Sequence, residues 1–218
     1  MLENVPLFFY RISGWTINLA TLILAFFALK SKNMWVGKYK YMGFFFVLMA
    51  FVELYASITV FLTTNNLYID YWYIPAIFSL RIFYLSKQTD SKIIERITIF
   101  ILAAFIILQI YIGFHEEING LNTIGQNIAS LLLISYCVRN LTILFKEKSG
   151  TKKLRFSPDF WFTITILVLN LKAFFQDILE ETTYVSGNTE VLYIFRSSGS
   201  FIKVFLLYGY YKGIKLLG

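Results

Sequence analysis

The apolar residues of this chain fall into seven long runs that are separated by short polar connections. A helix that crosses a lipid bilayer needs about 20 predominantly apolar residues, and each run is close to that length. The pattern predicts an all-α polytopic membrane protein with seven transmembrane helices, at 9–29, 41–63, 67–85, 97–113, 121–145, 160–179 and 191–211. Because the connections are short, we expect residues 1–218 to form a single transmembrane domain.

Lysine and arginine are concentrated in every second connection. The basic segments are Lys30–Lys40, Lys87–Arg96, Lys146–Arg155 and, after the last run, Lys212–Lys215. The connections between them are acidic or neutral. Since cationic loops remain in the cytoplasm, the alternation predicts an outer N-terminus and a cytoplasmic C-terminus, as an odd number of spans requires.

Composition supports lipid as the solvent of the chain. Hydrophobic residues make up 57% of the sequence and charged residues 15%, and the mean hydropathy is +0.63. The net charge of +7 comes from loops beside the spans, so it indicates topology, and no nucleic-acid partner is expected. One cysteine and one histidine form neither a disulfide nor a recognisable metal or cofactor site.

The first three and the last three spans share a layout that suggests an internal repeat. In each triplet a basic connection leads to a helix with a charged residue near the middle: Glu53 in span two and Lys172 in span six. The layout predicts a parallel three-plus-one-plus-three arrangement in which the fourth span is a lipid-facing linker. The alternative is that two hydrophobic triplets align loosely without a true repeat.

Three ionisable residues lie too deep in their spans to be explained by topology: Glu53, Lys172 and Lys203. A charge at the bilayer centre costs at least about 2.5 kcal/mol, so each needs a partner or a wet cavity. Glu53 is either a functional carboxylate or the partner of Lys172 or Lys203 in an ion pair. Arg81 and Arg139 lie nearer the cytoplasmic ends and are assigned to snorkelling and topology.

Uncharged polar residues extend this candidate binding site. Asn170 and Gln176 share the polar half of span six with Lys172, while Asn18 and Asn127 lie on faces of small and polar residues in spans one and five. Such faces either line a cavity or form interhelical hydrogen bonds. The candidate ligand-binding residues are Glu53, Asn170, Lys172, Gln176, Lys203, Asn18 and Asn127.

Glu53 in the second span and the Phe160-Trp161 pair that opens the sixth are the basis of a resemblance. The chain resembles a family of small, uncharacterised seven-helix proteins of the bacterial inner membrane. The resemblance implies fold and location and almost nothing about activity. The three-one-three order is also similar to that of small sugar and vitamin carriers, by analogy only, because none of their signature motifs is present.

Several functions are compatible with a polar cavity at the membrane midplane. The first hypothesis is a carrier or facilitator for a small polar or anionic solute. The alternatives are a receptor-like sensor acting through a cytoplasmic or membrane protein partner, a structural subunit of a membrane complex and, more remotely, a retinal-binding protein that uses Lys203. No intramembrane enzyme motif is present, so no enzymatic activity is expected.

Overall fold

The computed structural model describes residues 5–61, 68–89, 91–115, 123–147, 154–185, 203–204 and 207–218. Six α-helices are α1 (Val5–Lys30), α2 (Tyr39–Phe61), α3 (Tyr68–Ser86), α4 (Lys92–His115), α5 (Thr123–Glu147) and α6 (Pro158–Val185). A further helix, α7, covers residues 207–217, and residues 203–204 are also helical. The predicted all-α class is confirmed. The start of the predicted seventh span, at 191–202, lies outside the described residues.

Four helical segments are long and apolar enough to cross a membrane. Within the described residues they are Tyr39–Thr59, Lys92–Phe114, Ile124–Glu147 and Pro158–Gln176. The bundle also exposes large apolar side chains, among them Phe51 of α2 and Phe100 and Phe114 of α4. Since exposed apolar surface on this scale is unfavourable in water, the length and composition of these helices indicate a membrane protein.

The helices pack in an order that leaves α4 at the edge. Helix α5 packs most extensively on α6, α1 packs on α2, and α3 lies between α2 and α5. Helix α4 packs on α3 and, over a smaller area, on α5 within the described part of the chain. Its other side exposes Phe100, Ile107 and Phe114. A peripheral position is what the apolar composition of the fourth run predicts.

Polar contacts join the helix ends that carry the lysine-rich connections. Lys38, just before α2, forms an ion pair of 2.7 Å with Asp159 in the first turn of α6. The Tyr84 hydroxyl, near the end of α3, donates to the same carboxylate at 3.0 Å. Asn140 of α5 donates to the Leu85 carbonyl oxygen at 2.7 Å. We call this the basic end of the bundle, and the other the opposite end.

An aromatic core fills the bundle near the basic end. Phe45 and Phe46 of α2, Tyr84 of α3, Phe162 of α6 and Tyr210 of α7 are all fully buried. The centroid of the Tyr210 ring lies 5.1 Å from that of Phe46 and 5.7 Å from that of Phe45, in edge-to-face geometry. Aromatic rings packed in this way add to the free energy of burial.

Glycine lets α7 approach α6 at this core. A Cβ atom added at Gly213 would lie only 2.6 Å from Cδ1 of the Phe162 ring, closer than two carbon atoms can pack. Helix α7 can therefore pack against the aromatic core only because residue 213 has no side chain.

We predict that Gly213→Ala destabilises the bundle, because the added methyl group forces α7 away from Phe162. Overpacking of this kind typically costs about 1–3 kcal/mol. The measurement is the thermal unfolding midpoint of the purified protein in detergent. Gly14→Ala is the matched control, since a Cβ at Gly14 meets no atom within 4 Å and its midpoint should not fall. Equal midpoints for the two variants would contradict the close approach of α7.

Candidate functional site

The bundle contains a partly open cavity of about 320 Å³, formed mainly by α3, α5 and α6. Helices α1 and α2 and the helical residues at 203 and 207 complete its wall. Its polar lining residues are Arg81, Gln126, Ser130, Asn170, Lys172, Gln176 and Lys203. Its size falls at the lower end of the range for small-molecule sites in proteins.

The polar lining is cationic. Arg81, Lys172 and Lys203 come from three different helical segments and all line the cavity, and none of the described lining residues is a carboxylate. Glu53 is not among the described lining residues, and its carboxylate accepts a hydrogen bond from the Lys203 Nζ atom at 3.2 Å. Among the described residues, three cations line the cavity and one carboxylate, Glu53, pairs with one of them, and this balance favours an anion.

The ion pair between Glu53 and Lys203 decides between the two partners that the sequence allows for Glu53. Glu53 pairs with Lys203, and both side chains are partly buried, with 24% and 33% of their surface exposed. At this depth each charge lowers the cost of burying the other. The pair therefore stabilises the packing of α2 against the segment that carries Lys203.

Lys172, Gln176 and Asn170 combine the two roles that the sequence leaves open. All three line the cavity. Lys172 donates to the Gln176 side-chain oxygen at 2.6 Å, one helical turn away. The Asn170 amide donates to the Ile166 carbonyl oxygen at 2.7 Å, and its oxygen accepts from Ser130 of α5 at 3.5 Å. Asn170 thus joins α5 to α6, whereas Lys172 and Gln176 provide a polar surface.

Asn18 and Asn127 are not among the residues that line the cavity. Asn18 donates to the Ser57 hydroxyl, which in turn donates to the Glu53 carbonyl oxygen at 2.9 Å. This contact joins α1 to α2 next to the ion pair. The Asn127 side-chain oxygen is buried and has no hydrogen-bond partner in the described part of the chain.

Arg81 is a lining residue that the sequence reading assigned to topology. Its guanidinium carbon lies 4.5 Å from the centroid of the Phe45 ring, so the side chain is directed into the bundle. Ile74, Phe78 and Arg81 are spaced by four and three residues and share one face of α3, and all three line the cavity. This periodicity is the signal that could have identified Arg81. Its position near the helix end pointed instead to snorkelling.

The aromatic core separates the cavity from the basic end. Tyr84 lies one helical turn beyond Arg81, and Phe162 lies two turns beyond the lining residue Leu169. Their ring centroids are 5.8 Å apart. Asp159 holds this region by accepting from Tyr84 and pairing with Lys38. In this conformation the cavity ends in packed aromatic rings.

A metal is not suggested by the described side chains, since no three histidine, cysteine, aspartate or glutamate residues within the described ranges are grouped as ligands. The chemistry that the site offers is binding by cations and amides.

We predict energetic coupling between Glu53 and Lys203. Glu53→Gln or Lys203→Met alone removes one charge and leaves the other unpaired, so each should lower the unfolding midpoint in detergent. The double variant should recover part of the loss, with a coupling free energy of about 0.5–3 kcal/mol. Additive effects of the two substitutions would contradict a direct pair. Glu147→Gln, on the exposed end of α5, is the control substitution.

Comparison of the chain with known protein families, with curated proteins and with solved structures finds no match. The function must therefore be argued from the geometry and charge of the cavity.

Proposed function

We propose that this protein is a multi-pass protein of the bacterial inner membrane that carries a small polar or anionic solute across the bilayer. The observation that carries the proposal is the interior cavity, whose described lining includes three cations and no carboxylate. Charges at membrane depth are costly, and they commonly mark ion and substrate pathways. A purely structural bundle would not need a cationic cavity of this size.

The proposed topology has seven spans, with the N-terminus outside and the C-terminus in the cytoplasm. Its support is the position of three lysines at helix ends: Lys30 and Lys146 lie in the last turns of α1 and α5, and Lys38 lies just before α2. The contacts of Asp159 with Lys38 and Tyr84 bring the start of α2, the end of α3 and the start of α6 together. Under the positive-inside rule the basic end faces the cytoplasm.

Reporter fusions test this orientation. Green fluorescent protein fused after Gly218 should fluoresce, and alkaline phosphatase fused at the same position should be inactive, because the C-terminus is proposed to be cytoplasmic. Phosphatase fused after Gly120, at the predicted outer connection, is the matched positive control. An active phosphatase after Gly218 would contradict the orientation.

We further propose that the first three and last three helices form a parallel repeat. Glu53 and Lys172 each lie fourteen positions after the first residue of their helix, α2 and α6. The packing also supports the repeat. Within the triplets α1 contacts α2 and α5 contacts α6. Between the triplets α3 contacts α5 and α1 contacts α7. Transporters built from parallel repeats place their substrate site between the two halves.

Transport requires that the cavity open toward each side in turn. The described conformation closes it at the basic end with the aromatic core and the contacts of Asp159. Release to the cytoplasm would therefore need α6 and α7 to move relative to α2 and α3. The short ion pair between Lys38 and Asp159 connects two of the elements that would separate.

Uptake into liposomes tests the carrier. Purified protein reconstituted into liposomes should transport at least one of acetate, succinate and inorganic phosphate faster than protein-free liposomes. Lys172→Met should lower that rate about tenfold or more, since a charge-assisted contact contributes about 1.5–3 kcal/mol.

Lys146→Met is the matched control for this substitution, because Lys146 is exposed in the last turn of α5 and far from the cavity. Its rate should equal that of the wild type. Binding of an anion without any flux would contradict transport and favour a receptor-like sensor.

A further inference from the structure

Arg81 is a cavity-lining cation for which the described protein provides no carboxylate. The ion pairs among the described residues involve Lys38, Lys87 and Lys203, and none involves Arg81. Its Nε atom is buried and has no hydrogen-bond partner there. The neighbouring Tyr210 hydroxyl is buried as well and lies within reach of the Arg81 guanidinium.

Arg139 differs from Arg81, because its guanidinium has hydrogen-bond partners among the described residues. The Arg139 guanidinium donates to the side-chain oxygens of Asn140 and Thr89, at 3.4 and 3.5 Å. Protein atoms therefore contact it on two sides, and it does not line the cavity. Arg81 has instead the face of the Phe45 ring and the Tyr210 hydroxyl as protein neighbours, and it also borders the cavity.

A guanidinium group remains charged at any pH that a folded protein tolerates, so Arg81 cannot avoid burial of its charge by losing a proton. The Phe45 ring offsets only part of that cost through its π electrons. A carboxylate bound from the cavity side would complete the environment, since the planar donors of arginine match the two oxygens of a carboxylate.

The wall next to Arg81 restricts what kind of anion fits. Arg81 lies five residues from the end of α3, whereas Lys172 lies fourteen residues from the start of α6. At 1.5 Å per residue these positions are about 8 Å and about 21 Å from the basic end. The cavity wall includes the apolar side chains of Phe78, Leu133 and Leu169, and between these two depths it also carries the Asn170 amide.

An inorganic anion would reach Arg81 and gain nothing from this apolar wall. An organic anion would place its charged group at Arg81 and its hydrocarbon part against the wall, which removes apolar surface from water. The polar groups of Lys172 and Gln176 lie at the far side of such a ligand.

We infer that the cavity binds small organic carboxylates with an apolar body, and that Arg81 holds the carboxylate group. This inference rests on the proposed carrier function, whose substrate class it names. Arg81 is then the residue that selects for negative charge, and Phe78, Leu133 and Leu169 select for a hydrocarbon body.

Equilibrium binding to the purified full chain in detergent, measured by calorimetry at pH 7, tests the inference. The probes are benzoate, its neutral analogue benzamide, formate as a carboxylate without an apolar body, and inorganic phosphate and chloride. Benzoate should bind at least about tenfold more tightly than each of the others. Equal binding of phosphate, chloride or benzamide, or no binding of benzoate, would overturn the inference.

The variants identify the residue that binds. Arg81→Gln should weaken benzoate binding about tenfold or more, and Arg139→Gln, the matched control, should leave it unchanged. Arg81→Lys keeps the charge and loses the paired donors, so an intermediate affinity is expected. Benzoate binding that is the same in Arg81→Gln and the wild type would overturn the role of Arg81.

The stability of the empty protein separates binding from a structural role. Because the described protein provides no counter-charge for Arg81, Arg81→Gln should unfold at the same temperature as the wild type or at a higher one. Loss of folding in both Arg81→Gln and Arg81→Lys would make Arg81 a structural residue and overturn the inference. If benzoate binding depends on Arg81 but benzoate is not taken up into liposomes, the carrier function is contradicted. The proposed ligand class is still supported by that result.

Discussion

Charge inside a bundle of apolar helices must be compensated, and this constraint explains most of the polar contacts in the structure. Neither lipid nor a packed apolar core can solvate an ammonium or a carboxylate. Lys203 is compensated by Glu53, and Lys172 donates to Gln176 one turn along its own helix. Arg81 is compensated only in part, by the Phe45 ring. The degree of compensation thus distinguishes residues that hold the bundle together from one that is available for a ligand.

The arrangement of apolar residues creates the space in which these charges lie. The tightly packed aromatic core around Phe162 and Tyr210 lies near the basic end, where Gly213 brings α7 into contact with α6. Farther along the helices the wall contains smaller side chains such as Ala129, Ser130 and Ala173. Dense packing at one depth and small side chains at another leave a cavity rather than a continuous core.

The lysines in the described part of the chain belong to two groups that differ in depth. The lysines at helix ends, such as Lys38 and Lys146, are near the basic end and either pair across helices or remain exposed. Lys172 and Lys203 lie in the interior and contribute to the cavity. Residue type alone cannot separate these groups, because the energetic consequence of a charge depends on the medium around it.

Much of the fold could be predicted from the sequence because the signals involved are local. Helix α2 covers 39–61 where the predicted span is 41–63, and α5 covers 123–147 where the predicted span is 121–145. Lys172, Gln176, Asn170 and Lys203 line the cavity, which is one of the two roles that their positions on polar helix faces allow. Hydrophobic length and helical periodicity act within one segment, so no knowledge of its neighbours is needed.

The tertiary structure alone decided which helices are neighbours and how each is rotated. It paired Glu53 with Lys203 rather than Lys172, placed Asn18 in a contact between α1 and α2, and directed Arg81 into the cavity. These outcomes depend on side-chain packing between segments far apart in the chain, which the pattern along one helix does not contain. The sequence by itself determined the helices and which charges are costly; the packing determined which of those charges are compensated by protein.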